Sequence, residues 1–187
     1  IEMPEEDVPL AQKMMIEKCL NAAKPVIVAT QMLESMIRNP RPTRAEVSDV
    51  ANAVIDHTDA IMLSGETAEG KYPVEAVAIM AQIARRTERS KYDDLEFSKI
   101  FIGKLQVDDA VSSSADLLAK NLKVKAILVA SITGNTARLI ARYRPELPIL
   151  VTTNNEKVRC QLNLSWGVVP FVLPKCRTIE DLAAKAL

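Results

Sequence analysis

The sequence predicts an α/β protein with mostly parallel strands, and three observations carry that prediction. Two short apolar runs, Val26–Ala29 and Ala60–Leu63, suit strands buried on both faces, and each ends abruptly in hydroxyl-bearing residues. Between them Thr43-Arg44-Ala45-Glu46 is a capping box that announces a helix. From Val107 onward, helical faces and apolar strand runs alternate along the chain.

Taken in order, Ile1 to Asp7 is acidic and irregular, after which Val8, Ala11, Met15 and Cys19 recur at helical spacing, the pattern fading by Asn21. Met14 and Met15 read as core fillers and Cys19 as a small buried hydrophobe. The opening strand runs into Thr30 and Gln31. Ligands gather at the carboxyl ends of parallel strands, so a hydroxyl and an amide there form a candidate site. For that run alone, a strand end turning polar on meeting water is the plainer reading. The capped helix places Val47, Val50, Ala51 and Val54 on one face. His57, the sole histidine, reads as a surface or helix-end residue beside Thr58 and Asp59.

The second run ends in Ser64-Gly65-Glu66-Thr67, and Tyr72-Pro73 opens a helix whose proline needs no amide partner. Val74, Val77, Ala78, Ala81 and Ala84 form its predicted apolar stripe, and Arg85 to Lys91 its solvated end. Strand, helix, strand, helix suits part of a barrel or an open wound sheet. Tyr92 to Gln106 shows no sustained period and reads as a linker, dividing the chain into residues 1–91 and 107–187.

In the second unit Val111, Ala115, Leu118 and Leu122 space as a helix face, followed by a strand run at 126–130. A helix through Leu139, Ile140 and Tyr143, a strand at 149–151, a helix face of Val158 and Leu162, and a strand at 168–172 come next. Thr178 with Asp181 opens a last helix, and Trp166 is expected in this unit's core. The turn Ser131-Ile132-Thr133-Gly134-Asn135-Thr136 sets hydroxyls and a glycine at a strand-to-helix junction. Such a junction can offer donors to a phosphate, while Ser, Thr and Gly are equally common as caps and tight turns, and both readings stand.

Lys plus Arg equals Asp plus Glu, 24 each, so the balance carries no electrostatic footprint for nucleic acid or an acidic membrane. Cys19, Cys160 and Cys176 are odd in number and lack a CxxC, which suggests neither a disulfide framework nor a zinc site and fits a reducing cytosol. No stretch of about 18 apolar residues and no leader pattern is present.

Three segments carry a resemblance. Lys24 to Met36 (KPVIVATQMLESM), Asn39 to Ala53 (NPRPTRAEVSDVANA) and Ile61 to Pro73 (IMLSGETAEGKYP) resemble the seventh and eighth strand-and-loop segments of the catalytic barrel of pyruvate kinases. The resemblance implies the C-terminal portion of a (β/α)8 barrel, followed by a partial open α/β domain of mostly parallel strands. It implies transfer of the phosphoryl group of phosphoenolpyruvate to ADP, giving pyruvate and ATP, with Mg2+ or Mn2+ and K+ in the complete enzyme. It also implies a cytoplasmic homo-oligomer, expected as a tetramer, with no nucleic-acid or membrane partner.

Residue by residue, Thr30 matches the active-site threonine near the carbon that is protonated, and Ser64 a hydroxyl that aids the same proton path through water. A threonine of ordinary acidity orients a water better than it donates. Gln31 and Glu34 would support the substrate from behind, with a helix-start or salt-bridge role open for Glu34. Arg41 and Arg44 would lie at a subunit contact, surface solvation being the alternative. The turn residues Ser131, Thr133, Gly134, Asn135 and Thr136 would hold the phosphate of a sugar-phosphate effector; Ile132 stands where related loops often carry a polar residue. Glu69 occupies a position where the family carries a lysine near the nucleotide.

The resemblance places the metal carboxylates, the central lysine and the potassium ligands in segments that precede Ile1, leaving no metal ligand in these residues. Two other classes remain open: a stand-alone module that binds a phosphorylated metabolite through Ser131 to Thr136, and an assembly piece whose helices mediate subunit contacts. Phosphoryl transfer rests on positioning and charge neutralisation. The purified 187-residue chain is therefore expected to form no pyruvate from phosphoenolpyruvate and ADP in a coupled assay, and measurable turnover would refute this.

Overall fold

The computed structural model describes residues 3–29, 31–93, 106–173 and 176–186. They fall into two units, Ile1–Ile16 with Val26–Leu95, and Glu17–Pro25 with Glu96–Leu187. The linker predicted at 92–106 lies almost wholly outside the described residues.

A 3-10 turn at Glu5–Asp7 leads into helix α1, Val8–Asn21. Its buried residues are Ile16 and Leu20, whereas Val8, Met14 and Met15 are about half exposed and Cys19 is half-buried. The methionines are thus not core fillers: this helix has apolar residues on more than one stripe, and packing selects the one carrying Ile16 and Leu20.

In the first unit, strands β1 (Ile27–Ala29) and β2 (Ala60–Met62) pair in parallel, with Ile27 opposite Ala60, Val28 opposite Ile61 and Ala29 opposite Met62. The start of β1 is fixed from the turn before β2: Val26 N donates to Asp59 Oδ2 at 3.0 Å, and Thr58 Oγ1 donates to the Val26 carbonyl at 2.9 Å. Val28 is buried, but Ile27 and Met62, on the opposite face, are 45% and 44% exposed. Burial on both faces is therefore not realised among the described residues.

Helix α2, Arg44–Ile55, starts as the capping box requires, Glu46 N donating to Thr43 Oγ1 at 3.3 Å and Thr43 N to Glu46 Oε2 at 2.7 Å. Its buried residues are Val50, Ala53 and Val54; Val47 stands exposed and Ala51 half-buried. His57 follows α2 with φ +62°, the left-handed conformation that often ends a helix, and is 7% exposed with Nδ1 3.7 Å from Asp93 Oδ1. It is a helix-end residue as expected, but a buried one.

Helix α3 is a single turn, Gly65–Ala68, and α4 runs Pro73–Glu88 with Pro73 in its first turn. The stripe that packs is Ala76, Met80 and Thr87, and Val74 and Val77 are exposed. Helix α4 carries apolar residues nearly all round, and small Ala76 suits the close approach of α4 to α2. Arg85, Arg86, Glu88, Arg89 and Lys91 are exposed, as the solvated helix end predicts.

The second unit alternates α5 (Val107–Leu122), β3 (Ile127–Ala130), α6 (Asn135–Ala141), β4 (Ile149–Thr153), α7 (Glu156–Leu162), β5 (Val168–Val172) and α8 (Ile179–Ala186). The three strands form a parallel sheet in the order β3-β4-β5. Its core gathers Val129, Ile149, Val151 and Val168 from one sheet face with Ala137, Ile140, Ala141 and Leu162 from α6 and α7. On the other face Leu128, Val169 and Phe171 are 42–50% exposed, whereas Thr152 of the central strand is buried there and Leu150 half-buried, so that only β4 approaches burial on both sides.

Along α5 the buried residues are Ser112, Asp116 and Ala119, while Val111, Leu118 and Leu122 are exposed and Ala115 half-buried. The predicted face is therefore largely the solvent face of the described structure. Polar Ser112 can turn inward because its hydroxyl donates to the Asp108 carbonyl at 2.7 Å. Trp166 is half-buried outside the core cluster, its ring stacked by the Arg144 guanidinium 5.3 Å from the centroid. Thr178 Oγ1 accepts from Asp181 N at 3.1 Å and caps α8 as predicted.

One ion pair joins α5 to α6. Arg142, 4% exposed, donates from Nη2 to Asp109 Oδ1 at 2.6 Å, and this bond first, then the Gln106 amide, holds the Asp109 carboxyl below its ordinary 3.8. A lowered carboxylate stabilises above its unfolded value and loses that contribution as pH falls through the folded value. Asp109→Ala is expected to cost about 1–3 kcal/mol at neutral pH. It also removes part of the acid-side loss of stability below about pH 4. Denaturant unfolding across pH checks both, and an unchanged midpoint would count against the pair.

Candidate active site

Because β1 and β2 lie in register, the residues that follow them emerge side by side at the carboxyl ends of the strands. Gln31, Glu34 and Ser64 line one cleft of about 230 Å³ there, together with Ile37, Gly65 and Glu66. Three of the four residues singled out at these tips are thus brought together; the fourth, Thr30, lies outside the described residues. Gln31, Glu34 and Ser64 are exposed, so their polar groups reach the opening.

The loop behind this rim is anchored by Met32, Leu33 and Met36, each no more than 3% exposed, and continues as a 3-10 turn, Glu34–Ile37. Gln31 has φ +52°, a left-handed conformation that costs a non-glycine residue about 1–3 kcal/mol and clusters at functional sites. Lys71 N donates to the Ile37 carbonyl at 2.9 Å and closes the lower edge.

Two glutamates, Glu66 and the capping residue Glu46, hold this geometry. Glu66, 2% exposed, accepts from Leu33 N at 3.0 Å through Oε1 and from Ser64 N at 2.7 Å through Oε2. Burial alone would raise its carboxyl, but its own amide and those of Leu33 and Ser64 outweigh burial and leave it below the ordinary 4.5. Glu46 accepts from Ser35 N and Ser35 Oγ, both at 2.6 Å, besides serving the capping box. It too lies below 4.5: burial raises it, and the Ser35 and Thr43 hydrogen bonds lower it further. The available signal was local only: Glu46 was visible as a cap, but its second partner is eleven residues away.

In the second unit Ser131 and Gly134 are buried, and Thr133, Asn135 and Thr136 exposed. Gly134 N donates to Ser131 Oγ at 3.0 Å, an internal turn bond. Gly134 adopts φ +78°, and a Cβ there would meet Leu162 Cδ2 at 3.0 Å. Arg138, which the sequence reading did not single out, donates from Nη2 to the Thr133 carbonyl at 3.4 Å and brings a cation to the loop. Arg41 and Arg44 are exposed at the approach to α2 and its first residue, and Glu69 is exposed at the end of α3.

Among the described residues no group of three or more His, Cys, Asp or Glu side chains could hold a metal ion. None of the described helices is long and apolar enough to cross a membrane.

Parallel strands with a polar cleft at their carboxyl tips, joined to a second parallel α/β unit, define a two-unit α/β protein of the barrel-plus-sheet kind. The family model described as "Pyruvate kinase, barrel domain" matches residues 1–77, and that described as "Pyruvate kinase, alpha/beta domain" matches residues 109–187. The chain belongs to the pyruvate kinase family. It is 50% identical over 183 residues to a pyruvate kinase of Geobacillus stearothermophilus, covering 97% of this chain and 31% of that protein. With a pyruvate kinase of Clostridium acetobutylicum it shares 47% identity over 188 residues, covering 100% of this chain and 40% of the relative. A crystal structure of a Cryptosporidium parvum pyruvate kinase superimposes with TM-score 0.90 at 42% identity, covering 99% of this chain and 38% of that one. The chain thus spans about a third of the length of the relatives it matches.

Gly70 closes the turn after α3, where a Cβ would lie 2.4 Å from the Glu66 carbonyl oxygen. Gly70→Ala must shift the backbone and is expected to lower stability by about 1–3 kcal/mol. Thermal unfolding measures this, and an unaltered transition would show that the turn relaxes without strain.

Proposed function

We propose that this chain supplies part of the active-site mouth of an enzyme that transfers the phosphoryl group of phosphoenolpyruvate to ADP, forming pyruvate and ATP in glycolysis. The observation that supports this best is the single cleft lined by Gln31, Glu34 and Ser64 at the tips of two parallel strands. On this reading Thr30 contacts the substrate near the carbon that receives the proton, and the Ser64 hydroxyl orients a water on the same path. Gln31 and Glu34 support the substrate side of the rim.

Mg2+ or Mn2+ and K+ serve the complete enzyme, where they neutralise charge on the transferring group. On this reading their ligands belong to other segments of the parent protein. Residues 1–91 then form the barrel share, 92–106 a linker and 107–187 the effector and assembly share. Thr133, Asn135 and Thr136, framed by Ser131 and Gly134, would receive the phosphate of a sugar-phosphate effector. Arg41 and Arg44 would lie at the contact between subunits of a cytoplasmic, allosteric homotetramer.

In an enzyme of full family length carrying this segment, Ser64→Ala is expected to lower kcat for pyruvate formation about tenfold to a hundredfold with little change in KM for phosphoenolpyruvate. An unchanged kcat would remove Ser64 from the proton path. An Arg44→Ala enzyme that keeps its oligomer size and substrate affinity would count against the subunit contact.

A further inference from the structure

We infer that Glu66 is the positioning residue of this cleft, its carboxylate shared between the amides of Leu33 and Ser64 so that two separate strand-tip loops form one rigid rim. The catalytic consequence rests on the function proposed above; the tether rests on geometry alone.

Glu66 is 2% exposed, and each of its oxygens takes a main-chain amide from a different loop, at 3.0 and 2.7 Å. The two amides are 31 positions apart in sequence, so no local turn could fix their separation. One of the loops carries Gln31 at φ +52°, a backbone conformation that persists only where the surroundings over-determine it. From the outer side Glu46 holds Ser35 N and Oγ at 2.6 Å, so the 31–37 loop is clamped by one carboxylate from each of two neighbouring elements.

Carboxylates near Glu66 include Glu46, whose charge raises the Glu66 carboxyl, and Glu34, which lines the same cleft. Glu69 Oε1 would lie 3.7 Å from a Cβ on Gly65 and adds a third carboxylate beside the turn. Burial and the Glu46 charge raise the Glu66 carboxyl, and its own amide with those of Leu33 and Ser64 outweighs them, so that it is ionised at neutral pH. An ionised carboxylate accepts and does not donate, so Glu66 fixes the rim while proton transfer passes through hydroxyls and water. Since its folded value lies below the ordinary 4.5, the tether is complete above that pH and is released as pH falls through the folded value.

The test uses an enzyme of full family length carrying this segment, isotope-labelled at leucine and serine nitrogens. As pH is lowered from about 7 toward the onset of unfolding, the Leu33 and Ser64 amide protons are expected to shift on one curve with a common midpoint below 4.5. At neutral pH, Glu66→Gln is expected to speed hydrogen exchange at both amides about tenfold or more and to abolish their shared titration. Glu46→Gln moves the common midpoint down without splitting it. Separate midpoints for Leu33 and Ser64, or a shared titration that survives Glu66→Gln, would overturn the tether.

For catalysis, Glu66→Gln is expected to lower kcat/KM for phosphoenolpyruvate about tenfold and to shift the acid limb of its pH profile. If the amides titrate together and turnover is unchanged, the tether stands and the functional reading of the cleft falls. If turnover drops while the amides titrate independently, the cleft reading stands and the tether falls.

Discussion

The first unit depends on how β1 is pinned at its start. Val26 is held at both main-chain groups, its amide by the Asp59 carboxylate and its carbonyl by the Thr58 hydroxyl. Both partners sit immediately before β2, so these bonds set the register in which Ile27 meets Ala60. A one-residue slip in a parallel pair would turn every side chain to the opposite face and would separate Gln31 from Ser64 at the far end. The cleft is therefore a consequence of bonds made a strand's length away from it.

Above that register the site is built from carboxylates with unlike duties. Glu34 lies open at the rim, whereas Glu66 and Glu46 are committed to amides and hydroxyls behind it. Each committed carboxylate crosses between elements: Glu66 from the turn after β2 to the loop after β1, Glu46 from α2 to the 3-10 turn. Amide hydrogen bonds to a carboxylate are charge-assisted, stronger than neutral ones, and they resolve the cost of burying the charge. The strained backbone of Gln31 is tolerable in such a frame because its neighbours Met32, Leu33 and Met36 are fully packed.

The second unit shows a similar economy in its polar interior. Arg142 spans from α6 to Asp109 at the first turn of α5 and also donates to the Tyr143 hydroxyl at 3.1 Å. The charge that would be costly alone is thus bonded to groups at the very terminus of α5, where an acidic residue also suits the helix dipole. Ser131 and Gly134 spend their burial on the turn itself, leaving Thr133, Asn135 and Thr136 to face outward.

Element type and order were legible in the letters, because capping residues, Pro73 at a helix start and short apolar runs act locally. Thr43 with Glu46 marked α2, Thr178 with Asp181 marked α8, and the runs at 26–29, 60–63, 126–130 and 168–172 each fell on a strand. The packed face of each helix was less legible: Val47, Val74, Val77, Val111 and Leu118 satisfied the helical period and yet stand exposed, and α5 buries Ser112, Asp116 and Ala119 instead of its apolar stripe. Periodicity constrains a stripe's spacing, and only the neighbouring element chooses the phase. Gln31 and Ser64 were readable as polar groups at strand tips, and Glu34 through the family resemblance; the bonds of Glu66 to Leu33 and of Glu46 to Ser35 were not, because those partners lie in another loop. By itself, then, the sequence determined the alternation of strands and helices and the family to which they belong. Which faces are buried, and which carboxylates bind the rim together, was decided by tertiary contacts, because those energies arise between residues distant along the chain.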